Sequence, residues 1–468
     1  MAKGKYLKKN ASPFNGLTVV LLLILAAAVC LLLWKVSGNE TTPSTSPEDS
    51  QTNIAPNPET GSPSASETEA HQETTVPTTE ATTAPTEPYL VSSASIGVTG
   101  DMLIHKPMLT GAKQSDGSYD FTDYYKYIQD YYNSFDFMVA NLEVTLGGAE
   151  AGDYTGYPTF NCPDTIVDAL KGAGVDMLLT ANNHSYDTGH RGFLRTQLTL
   201  IEKEMLYLGT RPSEDAKNYV IQDINGIKVG MACYTYESKR TAEGMKYLNG
   251  IKVSGEDTNL LNSFSYDRLT VFYDEVEAML EEMDAAGADV TMFFVHWGNE
   301  YQRSPSSQQT KIAQELCELG IDVIVGGHPH VIQPFTKLTS TTGHETYCLY
   351  STGNAVSNQR RESLETVTNP EFTEDGVVFS VAFEKWSDGT VRLSNVDALP
   401  TWVDRVISGS DRIYTIVPLD PEADWSAYEI GTHKKLNGSY QQTMAMIGKE
   451  LNSIREALGL EPKPLTVQ

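Results

Sequence analysis

The chain has 468 residues, with 34 Lys and Arg against 61 Asp and Glu, a formal net charge of −27, and five cysteines. That balance excludes a small disulfide-built scaffold and a protein that holds nucleic acid on a broad basic surface. With 40% hydrophobic residues it has material for a large core, and its length allows two or three domains of about 150 residues.

Residues 1–16 are basic, with Lys3, Lys5, Lys8 and Lys9, and precede an apolar run at 17–34 that Lys35 closes. A run of about 18 residues is enough to cross a bilayer. It exceeds the roughly 7–15-residue core of a cleaved signal peptide, and no small-x-small site follows it. Cys30 sits inside the run behind Val29, unlike a lipoprotein cysteine. The run is therefore expected to be a single-pass anchor in the cell membrane. The lysines place its N-terminus in the cytoplasm and everything beyond Lys35 outside. Residues 36–88 are rich in Ser, Thr, Pro and Glu and contain no Lys or Arg. Such a composition buries too little apolar surface to offset ordering entropy, which predicts a disordered tether. As a flexible coil it spans roughly 40 Å, and as extended polyproline-like chain about 160 Å.

The globular domain is expected over 89–400, with 401–468 as a C-terminal extension packing on it. Apolar runs predict strands at 94–99, 137–140, 175–180, 229–234, 290–295, 323–325 and 347–350. Helical periodicity predicts helices at 122–133, 163–173, 192–204, 269–286 and 307–319. This alternation implies an α/β domain with largely parallel crossovers. Asn225-Gly226 predicts a hairpin over 220–232 and Ser387–Gly389 a second over 377–396, so the sheets are expected to be mixed or doubled. An amphipathic helix is expected over 440–458. The tyrosines at 124, 125, 127, 131 and 132 suit helix packing better than a polymer-binding platform. The cysteines at 162, 233, 317 and 348 form no CxxC pair. That argues against a thiolate zinc site, and their spacing assigns no disulfide.

The polar clusters just beyond the strand ends carry the chemistry. The first strand ends in Gly100-Asp101 and leads to His105; the second in Asn141-Leu142-Glu143; the third in Asn182-Asn183-His184, with Asp187 beyond. Later strands end in His296-Trp297-Gly298-Asn299-Glu300 and Gly326-Gly327-His328-Pro329-His330. Carboxyl ends of parallel strands converge on one crevice, so these groups should meet. Six of the nine histidines lie here: His105, His184, His190, His296, His328 and His330. Alone, Gly100-Asp101 suits a turn, and Asn141 and Glu143 suit a cap. His328-Pro329-His330 is the strongest element, a two-imidazole clasp. Carboxylate, amide oxygen and imidazole suit Mn, Zn or Fe. One or two such divalent ions, with Glu143 or Asp101 as a bridging carboxylate, would clamp a phosphoryl group.

The ordered series GDMLIH, NLE, NNHSYD, HWGNEY, GGHPHVIQP and YSTGNAVSNQ resembles the bacterial CapA family of poly-γ-glutamate capsule biosynthesis proteins. That family is similar in fold to the calcineurin-like metallophosphoesterases. The resemblance covers roughly 94–384. It implies a metallophosphoesterase-like layered α/β sandwich with mixed sheets, and Asp101, Glu143, Asn183, His296, His328 and His330 as metal ligands. It also implies His184 as the catalytic acid beside them. His105, Asn141, Asn182, Asp187, Glu300 and Asn354 remain as substrate-side candidates. One departure stands out: metallophosphoesterases begin with Asp-x-His, whereas here the histidine follows Asp101 by four residues. About 13 Å of extended chain separates Asp101 from His105, too far for one ion unless the chain turns sharply.

The expectation is thus a membrane-anchored, extracytoplasmic, metal-dependent hydrolase acting on a phosphoester or on an anionic surface polymer. The alternative is a non-catalytic factor that binds the polymer or assembles with membrane synthase subunits.

Overall fold

The computed structural model describes residues 87–364, 366–409 and 411–467. The predicted anchor, 17–34, and all but the last two residues of the predicted tether, 36–88, lie outside the described residues. Among the described residues no helix is long and apolar enough to cross a membrane.

In chain order the strands are β1 (Leu90–Met102), β2 (Phe137–Leu142), β3 (Met177–Leu179), β4 (Leu206–Leu208), β5 (Tyr219–Ile224) and β6 (Ile227–Tyr236). There follow β7 (Lys239–Arg240), β8 (Lys246–Leu248), β9 (Ile251–Lys252), β10 (Ser263–Phe264), β11 (Val290–His296) and β12 (Val323–Gly327). The last six are β13 (Phe335–Thr339), β14 (Glu345–Leu349), β15 (Asn354–Val356), β16 (Asp375–Trp386), β17 (Val391–Ser408) and β18 (Asp411–Pro418). The main helices are α1 (Lys106–Ala112), α2 (Thr165–Gly172), α3 (Gly189–Glu202), α4 (Leu269–Ala285), α5 (Ser307–Glu318) and α6 (Leu436–Ala457).

Two mixed sheets form the framework. The first runs β18-β17-β16-β1-β2-β3-β4, with β15 also paired to β1; the second runs β10-β6-β11-β12-β14-β13, with β5 paired to β6. Strands β1 to β4 are mutually parallel, as are β10, β6, β11, β12 and β14. Side-chain alternation in these strands divides the core into layers. Ile96, Val98, Val139 and Met177 of the first sheet share one buried cluster with Met231, Met292, Phe294 and Val325 of the second. The intervening residues Met138, Ala140, Leu142 and Leu178 pack instead with Ile166, Val167 and Leu170 of α2. Phe293, Val295 and Ile324 likewise pack with Phe272 and Val276 of α4 and Ile312 and Leu316 of α5. The order of layers is helix, sheet, sheet, helix. Continuous apolar runs such as Met292–Val295 follow directly, because both faces of a central parallel strand are covered.

The Asn225-Gly226 turn joins β5 to β6 as expected. Ile224 pairs with Ile227, and both turn residues have positive φ, 53° and 84°. Helix α6 sends Tyr440, Met444, Ile447, Leu451 and Ile454 into the inter-sheet cluster, the spacing of one helical stripe. Strand β17 runs through position 400, and β18 is the edge strand of the first sheet. The part beyond 400 therefore contributes a strand as well as the helix.

One predicted helix is corrected. Over 122–133 there is a single tight turn at Thr122–Tyr124 and a four-residue helix at Gln129–Tyr132. Tyr124 and Tyr125 are neighbours and both buried. Adjacent positions on a helix point about 100° apart, so one surface helix cannot bury both comfortably, and tertiary packing of the rings wins. Cys162, Cys233, Cys317 and Cys348 are all buried free thiols.

Candidate functional site

The carboxyl ends of β1, β2, β3, β11 and β12 bring the expected residues together at one edge of the sandwich. Asp101 is the second-last residue of β1, opposite Asn141 of β2 on one side and Asn354 of β15 on the other. Glu143 leaves β2 one residue beyond its end, and its amide is bonded to the Met102 carbonyl at 3.2 Å. Close backbone approach makes this possible. A Cβ on Gly100 would sit 2.0 Å from the Gly353 carbonyl oxygen, and one on Gly327 would lie 2.7 Å from Asp101 Oδ1.

Asp101, Glu143, Asn183, His296, His328 and His330 are all buried. His330 Nδ1 lies 3.2 Å from Asp101 Oδ2, and His330 Nε2 4.0 Å from Glu143 Oε1. His296 Nε2 is 3.4 Å from the same Glu143 oxygen and 2.7 Å from Asn183 Oδ1. The His328 amide donates to Asp101 Oδ2 at 3.0 Å, and Asn141 Nδ2 donates to Asp101 Oδ1 at 2.8 Å. Backbone conformation aims the clasp: His328 and His330 both have positive φ, 96° and 57°, a conformation that costs roughly 1–3 kcal/mol per residue. Polar side chains hold the loops behind it. Gln309 of α5 caps its own helix with Ser306 and bonds Gln333, which in turn holds the Gln302 carbonyl at 2.7 Å.

Two groups of three side chains have ligand atoms within 4.8 Å of one another, Asp101–Glu143–His296 and Glu143–His328–His330. Glu143 belongs to both. Glu143 Oε1, His328 Nδ1 and His330 Nδ1 are buried without a hydrogen-bond partner. Such orphaned atoms are costly in a native interior and are the expected signature of a site that receives an ion. The electrostatics agree with the donor set. Burial pushes His296 down to about 3, against the pull of Asp101, and pushes His328 well below the usual imidazole range with His296 and His330 adding to it. Neutral imidazoles keep their lone pairs for a cation. Burial, then the charges of Asp101 and Glu300, hold the Glu143 carboxyl well above the carboxylate range. Burial works the same way on Asp101, but His330, His296 and Asn141 outweigh it and hold that carboxyl below its ordinary value. Carboxylates this close repel one another, and a divalent cation between them removes the repulsion. The residues present fit one or two such ions.

His184 stands beside this cluster. Its Nδ1 lies 2.7 Å from Asp187 Oδ2, which also receives the Phe160 amide at 2.6 Å, and the Phe160 ring meets the imidazole edge-on at 4.7 Å. Asp187 therefore orients the ring. The other substrate-side candidates divide. Glu300 is exposed, and its charge reaches Glu143. Asn182 gives its amide to Asn141 Oδ1 and the Leu142 carbonyl, which makes it a brace between strand ends. Asn354 is also a brace, with Nδ2 donating to the carbonyls of His330 and Thr373 and to Gln359. His105 turns away into the N-cap position of α1. There its Nδ1 faces the Leu103 carbonyl, and burial pushes it down to about 4 with His330 and His184 nearby. A tight turn, with the His105 amide on the Leu103 carbonyl at 3.1 Å, leads into the helix, and His105 belongs to neither ligand group.

Two neighbours were not foreseen. Asn249 reaches Asn183 Nδ2 at 3.2 Å and His184 Nδ1 at 3.4 Å from the tip of the β8–β9 hairpin. The Asn249-Gly250 dipeptide carries the same turn signal that revealed the earlier hairpin. Tyr236 packs its ring 4.8 Å from that of His328, with no sequence signal of its own.

These features define a layered α/β protein with a buried carboxylate–imidazole centre of the metal-ligand type at its strand ends. The chain belongs to the family of bacterial capsule synthesis proteins, PGA_cap, whose model matches residues 95–359 and so takes in every one of these strand-end residues. It is 28% identical over 243 residues to the capsule biosynthesis protein CapA of Bacillus anthracis, covering 51% of this chain and 54% of that protein. It is 27% identical over 195 residues to the PGA biosynthesis protein CapA of Bacillus subtilis (strain 168), covering 41% and 45%. The chain spans about half the length of the curated relatives it matches. Among solved structures, that of TT1561 of Thermus thermophilus aligns over 61% of this chain and 94% of its own at 10% identity, with a TM-score of 0.29. A likeness at that score carries no argument.

Proposed function

We propose that the chain is a membrane-anchored, extracytoplasmic, metal-dependent hydrolase of the metallophosphoesterase kind. It would cleave a phosphoester, or a bond in an anionic surface polymer of the poly-γ-glutamate type, during capsule synthesis. One observation carries the reading: two buried ligand groups share Glu143, and their carboxylates meet imidazoles rather than Lys or Arg among the described residues. Asp101, Glu143, Asn183, His296, His328 and His330 would hold one or two divalent ions of the Mn, Zn or Fe type. Bound there, the ions supply Lewis acidity toward a phosphoryl or acyl oxygen.

The chain's own residues do the rest. Asp187 fixes the His184 ring through Nδ1, leaving Nε2 to give a proton to the leaving oxygen. Phe160, edge-on to His184, keeps water from one side of the ring. Glu300, exposed and within electrostatic reach of Glu143, adds negative charge beside the cluster, so an acidic substrate must meet compensating charge elsewhere. The apolar run at 17–34 would anchor the domain beside membrane synthase subunits.

A second reading, a non-catalytic assembly factor on the same fold, is favoured by the position of His105, whose imidazole stays outside the ligand groups. The test is activity of the Mn- or Zn-loaded full chain on phosphoesters and on γ-linked glutamate polymer, with capsule formation in cells as a parallel readout. His184→Ala should lower kcat by about 10²–10⁴ while leaving metal content unchanged. Capsule formation that survives Asp101→Ala, His184→Ala and His328→Ala alike sinks the hydrolase reading and leaves the assembly factor.

A further inference from the structure

Positive charge gathers in one place on a chain whose net charge is −27. A cavity of about 190 Å³ is lined by Arg240, Lys246, Arg268, Asn259, Ser263 and Phe272, among others. Lys246 is buried at 7% exposure, and its ammonium donates to the Leu261 carbonyl at 3.1 Å. It forms no ion pair among the described residues, so two of its three N–H donors are unmet. Arg211, behind Asn259, spends its guanidinium on the carbonyls of Ala216 and Asn259 and keeps a buried Nε without a partner. Arg268 is exposed at the N-cap of α4, a helix start with no side-chain cap and no acidic residue in its first turn. The helix therefore adds its own partial positive charge.

The carboxylates in reach do not balance this. Glu237 is committed to Arg240 (Nε to Oε2, 2.6 Å) and to Ser263 (Oγ to Oε1, 2.9 Å). Glu275 accepts from the Tyr234 hydroxyl at 2.7 Å and from Asn218 at 3.1 Å. Three cations, Arg240, Lys246 and Arg268, thus line the cavity with one carboxylate, Glu275, while Glu237 is held by Arg240 and Glu214 by Asn259. Burial pushes Lys246 down to about 8, with Glu237 and Glu275 opposing the shift and Arg240 and Arg211 adding to it. An arriving anion would reverse that shift and draw a proton onto the lysine.

The cavity adjoins the strand-end cluster along the chain. Tyr236 lies against His328, the next residue is Glu237, and one hairpin carries both Lys246 and the Asn249 that touches Asn183 and His184. We infer that the cavity is an oxyanion subsite, holding a carboxylate or phosphate group of an extended acidic ligand whose neighbouring segment lies at the strand-end cluster. The oxyanion site stands on its own geometry; the shared ligand rests on the functional reading above.

The test is calorimetric titration of the full chain, stripped of metal, with a short γ-linked glutamate oligomer and separately with inorganic phosphate. Saturable binding is expected, weakened about tenfold or more by Arg268→Glu and by Lys246→Gln. Arg268 is exposed, so its variant reports even if the buried Lys246→Gln chain fails to fold. Binding of the oligomer alone identifies glutamyl carboxylate as the source and binding of phosphate alone a phosphate-bearing ligand; either supports the subsite. No saturable binding of either probe overturns it. So does binding that survives Arg268→Glu and falls with His328→Ala, which would put the anion at the strand-end cluster. A chain that binds at the cavity yet hydrolyses nothing when metal-loaded removes the hydrolase reading and leaves the subsite standing.

Discussion

Glu374 and Glu143 are both buried carboxylates, at opposite ends of the question of what a buried charge is for. Glu374, beneath α6, has Arg360 Nε at 3.0 Å from one oxygen, and Lys435 Nζ at 2.8 Å and the Trp402 indole at 3.3 Å from the other. Its neighbour Asp375 accepts from Ser439 at 2.6 Å and from Gln442, both on α6. Glu143 has Asn141 at 3.5 Å on one oxygen and the imidazoles of His296 at 3.4 Å and His330 at 4.0 Å from the other, with the Asp101 carboxylate close by. Two protein cations balance the first carboxylate, whose cluster ties the C-terminal helix to the first sheet. The second faces imidazoles and another carboxylate, and a cation from outside is needed to balance it. The charge of the partners, rather than their number, separates an anchor from a binding centre, since both places combine carboxylates with nitrogen bases.

The comparison breaks most visibly through stability. Glu374→Ala leaves Arg360 buried without its partner and should cost about 3–5 kcal/mol in urea unfolding. Glu143→Gln, measured with chelator present, replaces a carboxyl that burial already holds well above the carboxylate range and should stay within about 1 kcal/mol of the parent chain. Equal large losses in both would show that Glu143 is an anchor as well.

Metal addition should act on one cluster alone. An ion at about 100 times its Kd stabilises the folded chain by about 2.7 kcal/mol, read as a rise in Tm. Glu143→Gln and His328→Ala should abolish that rise, whereas Asp375→Asn should keep it.

Acidity sharpens the contrast from the other side. Burial pushes Asp375 from 3.8 up to about 7, with Glu374 adding to the shift and Ser439, Gln442 and Arg303 opposing it. The unfolded carboxyl ionises first as pH rises, so the folded state holds the extra proton between those two values. Stability from this group is present at low pH and lost as pH rises towards 7. Between pH 5.5 and pH 8 the loss is roughly 2 kcal/mol. Asp375→Asn should flatten that slope in paired urea titrations at the two pH values; an unchanged slope would assign it elsewhere. The smallest effect belongs to Arg268→Glu at the basic cavity, which should move stability by no more than about 0.5 kcal/mol while changing anion binding.

The strand-end residues were legible because parallel strands bury both faces. Polar residues such as Asn141, Glu143, Asn183 and His328 directly after apolar runs therefore have nowhere to go but a common crevice. The α/β class followed from the strand–helix alternation, and the layered order from the family resemblance. Less legible was anything set by contacts between distant segments. Asn249 meets Asn183 across 66 positions, and nothing local in either predicts the meeting. Asn354, a substrate-side candidate, lies in β15, which inserts parallel to β1, and its amide donates to the His330 carbonyl, a contact that no local pattern announces. His105 sits at the start of α1 for a local reason, since Pro107 in the first turn starts a helix there. The tyrosine-rich stretch misled because its periodicity reflects separate aromatic anchors.

The central claim is that Glu143 joins two ligand groups into one metal centre. Elemental analysis of the full chain, purified without chelator or affinity metal beside its Glu143→Gln variant, tests it most directly. The account predicts one or two equivalents of Mn, Zn or Fe in the parent chain and loss of that metal in a variant that still folds. A parent chain that holds none of these ions even after reconstitution, or a variant that retains them in full, would contradict it.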